Sequence, residues 1–256
     1  MTARARTLRF AAYSLLELSI VIVALGFLVG AVVAGQSVMR GSRLQYVVSQ
    51  YQNFRVANRT FYDKYKYLAG DFPTATDIWG AANASTTVCG FTTATGTLTC
   101  NGNGDGALTV VGPQAPEQII YWRHLSNEGL IDGSYTAPGM TGNSGAFVCC
   151  QVTEQNSPAG RIDGSLWMPN VDEANGIYFN FQFGGKTATT PTGAVFTPSE
   201  LWSLDTKLDD GMPNTGKVVA AGTVAQCMNG TASTDTYTIT YTDLACYGQF
   251  YTDKHP

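Results

Sequence analysis

A single carboxylate at the head of a long apolar run constrains this chain more than any other feature. From Leu18 to Met39 there is no charged residue, a stretch of 22 residues. As an α-helix it would be roughly 33 Å long, enough to cross the hydrocarbon core of a bilayer. Glu17 stands directly before it. An acid at the edge of such a span costs on the order of a few kcal/mol, so it is read as functional and a partner is sought for it. Arg4, Arg6 and Arg9 precede it with no acid between. Positive residues stay on the cytoplasmic side, so the arginines face in and everything after the helix faces out.

A secretory signal peptide would have a shorter apolar region ending at its own small-residue cleavage site. Here the small residues Ala11 and Ala12 lie before the apolar run. A cut after Ala12 would leave the run on the mature chain, with Tyr13 as first residue and a new α-amino group four residues ahead of Glu17. The segment Ala12-Tyr13-Ser14-Leu15-Leu16-Glu17 resembles the prepilin leader of type IV pilins and type II secretion pseudopilins. That pattern is a small residue, a cut, an aromatic, three residues and then Glu, leading into an apolar helix. The family usually has Gly before the cut and Phe after it, where Ala12 and Tyr13 stand here.

The resemblance implies cleavage by a prepilin peptidase and N-methylation at Ala12–Tyr13. It implies assembly through Glu17, which would neutralise the new amine of a neighbouring subunit. Its partners would be other pilin-like subunits, in a homo- or hetero-oligomer, an inner-membrane assembly machinery, and membrane lipid before assembly. The chain divides on this reading into a leader (1–12), a transmembrane and assembly helix (13–40), and a pilin-like head (41–256) that includes the second half of the spine helix. The head would be periplasmic before assembly into a periplasmic pseudopilus or an extracellular pilus. The implied fold is α+β, a long N-terminal helical spine packed on an antiparallel β-sheet. A plain signal anchor with a stray Glu is the bland alternative. It leads to a periplasmic binding module or hydrolase that does not polymerise.

The residues beyond the leader agree with an extracytoplasmic head. Charged residues make up only 13% of the chain and there are 28 glycines, which suits a polar, loop-rich surface. The formal net charge is −4, and it becomes more negative without the leader arginines. Such a balance gives no electrostatic footprint for nucleic acid. Leu44, Val47, Val48, Tyr51, Phe54, Phe61, Tyr65 and Leu68 recur at threes, fours and a seven, which is one face of an α-helix. No proline interrupts the chain from Tyr13 to Gly70, so one helix is expected from Tyr13 to Leu68, with Gly26, Gly30 and Gly35 as its weak points. A second helix is expected from Pro116 to Gly129, with His124 on its surface. Thr197-Pro198-Ser199-Glu200 is a capping box with proline at the first helical position and opens a third. Strands are expected at Ala146–Val152, around Ile177–Phe183, at Lys217–Ala221 and at Tyr237–Thr242.

The six cysteines, Cys89, Cys100, Cys149, Cys150, Cys227 and Cys246, read as disulfides in a chain that leaves the cytoplasm. Six cysteines allow 15 pairings. Short-loop logic favours Cys89–Cys100 and Cys227–Cys246. Three fates stay open for the adjacent Cys149 and Cys150: a vicinal bridge, free thiols, or a swap of one into another pair.

Two segments are candidate calcium sites. Asn101-Gly102-Asn103-Gly104-Asp105-Gly106 places oxygen side chains at alternate positions with glycine sixth, as in the first half of an EF-hand loop, but its twelfth position is Gly112 rather than Glu. Its bland reading is a Gly/Asn turn held by Cys100. Asp205, Asp209 and Asp210 form the second acidic group, and solvation beside Lys207 is its bland reading. Pseudopilins can use calcium to hold their C-terminal loop, so the resemblance favours both. No cofactor is otherwise required. No GxSxG or HExxH motif occurs, and Gly185-Lys186-Thr187 lacks the first glycine of a P-loop. The chain is therefore expected not to be an enzyme. Trp79, Trp122, Trp167 and Trp202 are read as core or interface residues.

Overall fold

The computed structural model describes residues 14–82, 96–108, 117–136, 153–172, 178–187 and 190–252. Ala12, Tyr13, Cys89, Cys149, Cys150 and the expected strand at Ala146–Val152 lie outside them. The chain divides into two compact units between Arg43 and Leu44.

Helix α1 runs from Leu15 to Tyr65 without interruption, through Gly26, Gly30 and Gly35. It ends three residues before the expected Leu68. Lys66 takes φ 63° and its N–H donates to the Tyr62 carbonyl at 2.8 Å. A residue in the left-handed region closes the last turn and releases the chain. Leu68 is buried all the same.

The head is built from α2 (Ala75–Trp79), α3 (Glu117–Asn127), β1 (Ser165–Asp172), β2 (Tyr178–Gly185), α4 (Pro198–Leu208), β3 (Val218–Gly222) and β4 (Cys246–Tyr251). The four strands form one antiparallel sheet in the order β1-β2-β4-β3. The fold is therefore α+β.

The helical stripe read from the sequence is the core. Val47, Tyr51, Phe54 and Phe61 are buried, with Leu44, Val48 and Tyr65 packed beside them. Phe54 lies 4.8 Å from Trp122, 5.5 Å from Trp167 and 5.8 Å from Phe181, centroid to centroid. Those rings come from α3, β1 and β2, so one side chain of α1 touches three elements. Aromatic pairs at such distances add about 0.5–1.5 kcal/mol each beyond their buried area. Polar staples fix the register of helix on sheet. The Tyr51 hydroxyl donates to the Tyr251 carbonyl at 2.6 Å. Gln50 accepts from the Trp167 indole at 3.0 Å and donates to the Ala159 carbonyl at 3.0 Å. A buried amide satisfied on both sides carries no desolvation penalty and specifies one geometry.

Phe179, Phe181 and Phe183 point into this core as their alternation predicts. Asn180 and Gln182, the polar members of the alternation, are buried as well, so β2 is covered on both faces. The segment Tyr237–Thr242 is not a strand. Tyr237 makes an isolated bridge to Met228, and Ile239, which the alternation would bury, is 55% exposed. The last strand is β4, whose residues alternate between buried and half-buried. Strand β1 escaped the sequence reading because Pro169 sits inside it. Trp167 N–H points to the outer side of β1, where it donates to the Pro158 carbonyl at 3.0 Å, so the nitrogen of Pro169 two residues on also faces away from β2 and removes no bond of the β1–β2 ladder. The capping box of α4 forms as written: Thr197 Oγ1 accepts from Glu200 N–H at 3.3 Å, and Glu200 Oε2 accepts from Thr197 N–H at 2.9 Å.

Cys227 and Cys246 form the expected disulfide, with Cα atoms 5.2 Å apart and a sequence separation of 19. Cys100 is also disulfide-bonded, to a cysteine outside the described residues. Because Cys246 opens an inner strand, the bridge ties the loop 223–245 to the sheet. Replacing both Cys227 and Cys246 by Ser is expected to cost about 2–5 kcal/mol. Amide hydrogen exchange of the variant should rise across 223–245 while β4 stays protected. Equal loss of protection in β4 would show that the bridge holds the sheet itself.

Candidate functional site

The apolar half of α1 is exposed on every side. No part of its most hydrophobic 18-residue window is buried, and Leu15, Phe27 and Val38 are more than 70% exposed. So long a contiguous apolar surface is built to be covered by lipid or by protein. By length and composition α1 suffices to span a membrane once.

Glu17 lies in the first turn of this helix and is exposed. Its Oε2 accepts from the Ser14 N–H at 3.1 Å, and Ser14 Oγ accepts from the Leu16 N–H at 3.3 Å. Ser14 and Glu17 thus cap the helix start reciprocally, each side chain accepting from a backbone donor that the helix leaves open. The sequence carried this signal, and the reading of Glu17 as a charge partner overlooked it. The carboxylate also stands at the positive end of the helix dipole. Glu17 therefore has a local structural role whatever else it pairs with.

The glycine-rich loop at 101–106 reverses the expected arrangement. Asn101 Oδ1 accepts from the Thr76 N–H at 2.8 Å. Asn103 Oδ1 accepts from the Asp105 N–H at 2.9 Å, and Asn103 Nδ2 donates to Asp105 Oδ2 at 2.8 Å. The loop's N–H groups converge instead on Asp71, a buried residue outside the motif. Gly104, Asp105 and Gly106 donate to its carboxylate at 2.6, 3.1 and 2.9 Å. Gly104 and Gly106 hold φ 77° and 85°, left-handed values that turn successive amides toward one anion. At Gly102 a Cβ would run into the Asp71 backbone. The loop is a cradle for a carboxylate. Glu117, at the start of α3, completes it by accepting from the Asn103 N–H at 2.8 Å.

Asp71, Asp105 and Glu117 each offer a carboxylate oxygen within 4.8 Å of the others, and so do Asp205, Asp209 and Asp210. Either trio could hold a hard divalent cation, which oxygen ligands suit. The first contains only one of the three residues expected from the motif, Asp105. In the second, Asp205 is buried and accepts from the Tyr237 hydroxyl at 2.8 Å and the Gly211 N–H at 3.2 Å. Asp210 accepts from the Met212 N–H and the Thr215 hydroxyl, and Asp209 from the Lys217 N–H. Burial, with Glu117 and Asp105 nearby, raises the Asp71 carboxyl to about 6. Burial, aided by Asp210 and Asp209, raises Asp205 to about 7.

His124 was expected on the helix surface and is wholly buried. Its ring stacks on Phe61 at 6.3 Å with 8° between planes. Nδ1 accepts from the Gly70 N–H at 2.9 Å, which assigns the proton to Nε2 and lets it donate to the Cys100 carbonyl at 3.1 Å. The side chain joins the turn before Asp71 to the segment before the 101–106 loop, so it positions both halves of the cradle. The helix pattern hid this because every side chain from Glu117 to Leu125 is buried. Trp122 and Trp167 are in the core, and Trp202 is partly exposed on α4.

No family model, curated protein or solved structure matches the chain.

Burial, with the Arg123 charge beside it, lowers the His124 imidazole to about 3. The unfolded chain protonates it near 6.5. Its contribution is therefore complete above pH 6.5 and is lost as pH falls toward 3, by up to about 1.4 kcal/mol per unit. Asp71 and Asp205 act in the opposite sense, because their raised carboxyls gain a proton in the folded state first. The stability gap between the wild-type chain and His124→Gln, from urea midpoints in detergent, should narrow between pH 7.5 and pH 5. A gap that does not change with pH would show that His124 titrates normally in the folded state.

Proposed function

We propose that the chain is a structural subunit, a pilin or pseudopilin, that polymerises through α1 into a filament. The observation that carries the reading is the division of labour along one helix. The residues after Leu44 are the core of the head, whereas those from Leu15 to Met39 are apolar and bare except for one acid at the very start. A membrane can cover the bare half before assembly, and the same halves of other copies can cover it afterwards.

On this reading a peptidase cuts after Ala12, and the amine of Tyr13 becomes the partner of Glu17 on a neighbouring subunit. Neutralising both charges offsets the cost of burying them and sets the register between subunits. Calcium is proposed as a clamp of the head at Asp71, Asp105 and Glu117, or at Asp205, Asp209 and Asp210.

The Ser14–Glu17 cap supplies a test that separates pairing from capping. Glutamine keeps an oxygen that can accept from the Ser14 N–H but has no charge. If Glu17 serves assembly through its charge, Glu17→Gln and Glu17→Ala should both remain in the membrane with a folded head and be absent from sheared filaments. If Glu17 only caps α1, Glu17→Gln should assemble like the wild type. Mass spectrometry of the mature wild-type chain should find a methylated Tyr13 as first residue. An intact Met1, or a cut beyond Val29, would favour the signal-anchored module instead.

The clamp has its own measurement. Chelation should lower the melting temperature of the full chain in detergent, and calcium should restore it, with about 2.7 kcal/mol of stabilisation at a hundredfold excess over Kd. Asp105→Ala should abolish the response if the first trio binds, and Asp209→Ala if the second does. No response in the wild type would leave both trios as loop caps.

A further inference from the structure

The filament reading needs a contact between heads, and the surface of the head suggests one. Outside the apolar half of α1, the described residues leave eight large hydrophobic side chains exposed. Three of the eight, Val224, Ile239 and Leu244, at 49–55% exposure, belong to the segment tied to the Cys227–Cys246 bridge. Val224 lies three residues before Cys227, and Leu244 two before Cys246. Ile239 follows Thr238, whose N–H donates to the Cys227 carbonyl at 3.0 Å. Three water-facing aliphatic side chains thus belong to the one segment that the disulfide closes. Single exposed hydrophobics are ordinary, but three of the eight on one closed segment point to something that covers it.

The charge around this cluster is of one sign. From Val218 to Thr252 the chain has no lysine, arginine or histidine, and its charges are Asp235 and Asp243. Asp243 is exposed beside Leu244. The opposite combination occurs on α1. Val56 is 66% exposed, and Arg59 lies one turn further along the helix with its side chain 64% exposed. From Arg55 to Tyr65 the helix carries three basic residues, Arg55, Arg59 and Lys64, against one acid, Asp63, and Lys64 pairs with Glu128. Arg59 pairs with Asp63 at 3.1 Å, an exposed i,i+4 pair of the kind worth a few tenths of a kcal/mol and readily exchanged for another acid. Val56 edges a groove of about 460 Å³ between α1 and the turn 129–135, with Ala57, Leu130 and Ile131 among its lining residues.

We propose that the disulfide loop of one copy docks against this face of α1 on a second copy, with Leu244 and Ile239 entering the groove beside Val56 and Asp243 meeting Arg59. The proposal rests on the filament reading and specifies which surfaces of the heads meet. One such contact leaves a free groove on one copy and a free loop on the other, so where it is made once per pair it is head to tail. A contact of that kind propagates into a ring or a filament rather than closing as a pair.

Cysteine cross-linking of the full chain in its producing cells tests this. Val56→Cys with Leu244→Cys in one chain, oxidised within assembled material, should give a ladder of multimers, and each single variant should give none. Arg59→Asp and Asp243→Arg should each lower the assembled fraction several-fold, and the two together should restore it. Assembled Val56→Cys/Leu244→Cys chain with no cross-link, with cross-linking that stops at dimers, or with Leu244→Cys dimerising alone, would overturn the contact and leave the filament reading in place. A wild-type chain that stays monomeric in the membrane would overturn both.

Discussion

Everything in the head depends on the burial of one helical stripe against one face of the sheet. Phe54 is its hub: a single ring on α1 meets Trp122, Trp167 and Phe181, and so ties α1 to three elements that also hold one another, β1 by its ladder to β2 and Trp122 by stacking on Phe181 at 5.7 Å. A buried aromatic contact network of this kind has little slack, because interiors are packed like organic crystals and a displaced ring strands its neighbours. Gln50 and Tyr51 add direction to what would otherwise be a non-directional attraction. With the stripe fixed, the turn after Tyr65, the Asp71 cradle and the α3 entry are all held at defined positions along α1.

The same stripe explains what the sequence could reveal. A helix that is apolar on one face along its second half and apolar all round along its first leaves a periodic record, and both halves were legible to within three residues. The capping boxes at Thr197 and the Cys227–Cys246 bridge were legible too, since each depends on residues close in sequence. Strand β1 was hidden by Pro169, which is tolerated only because the strand lies at the edge of the sheet. The false strand at Tyr237–Thr242 had a cleaner alternation than the true one at Cys246–Tyr251. The deciding fact was long-range: Tyr237 finds its hydrogen bond on Asp205 of α4 and not on a neighbouring strand.

The candidate site divides in the same way. Alternating Asn, Asn and Asp side chains suggested a cation loop, and the glycines between them were read as spacers. In the folded chain the glycines are the active part. They turn backbone amides inward, and the charge at the centre is the carboxylate of Asp71, some thirty residues earlier. No local pattern announces a partner so distant. His124 is similar, since its neighbours Gly70 and Cys100 lie on either side of a long excursion. By contrast the Ser14–Glu17 cap joins residues three apart, and a Ser followed three positions later by Glu before an apolar run is its local record.

Strand β4 is the last of the described strands in sequence, yet it occupies an interior place between β2 and β3. A chain is synthesised from its N-terminus, so α1, β1 and β2 are made well before residues 246–251. Until then β2 presents an open edge and β3 has no partner at all. Pairing across such a sequence distance carries a loop-closure penalty that slows folding. The sheet therefore stays open at β2 until residues 246–251 join it, and its closure is the late step of folding the head.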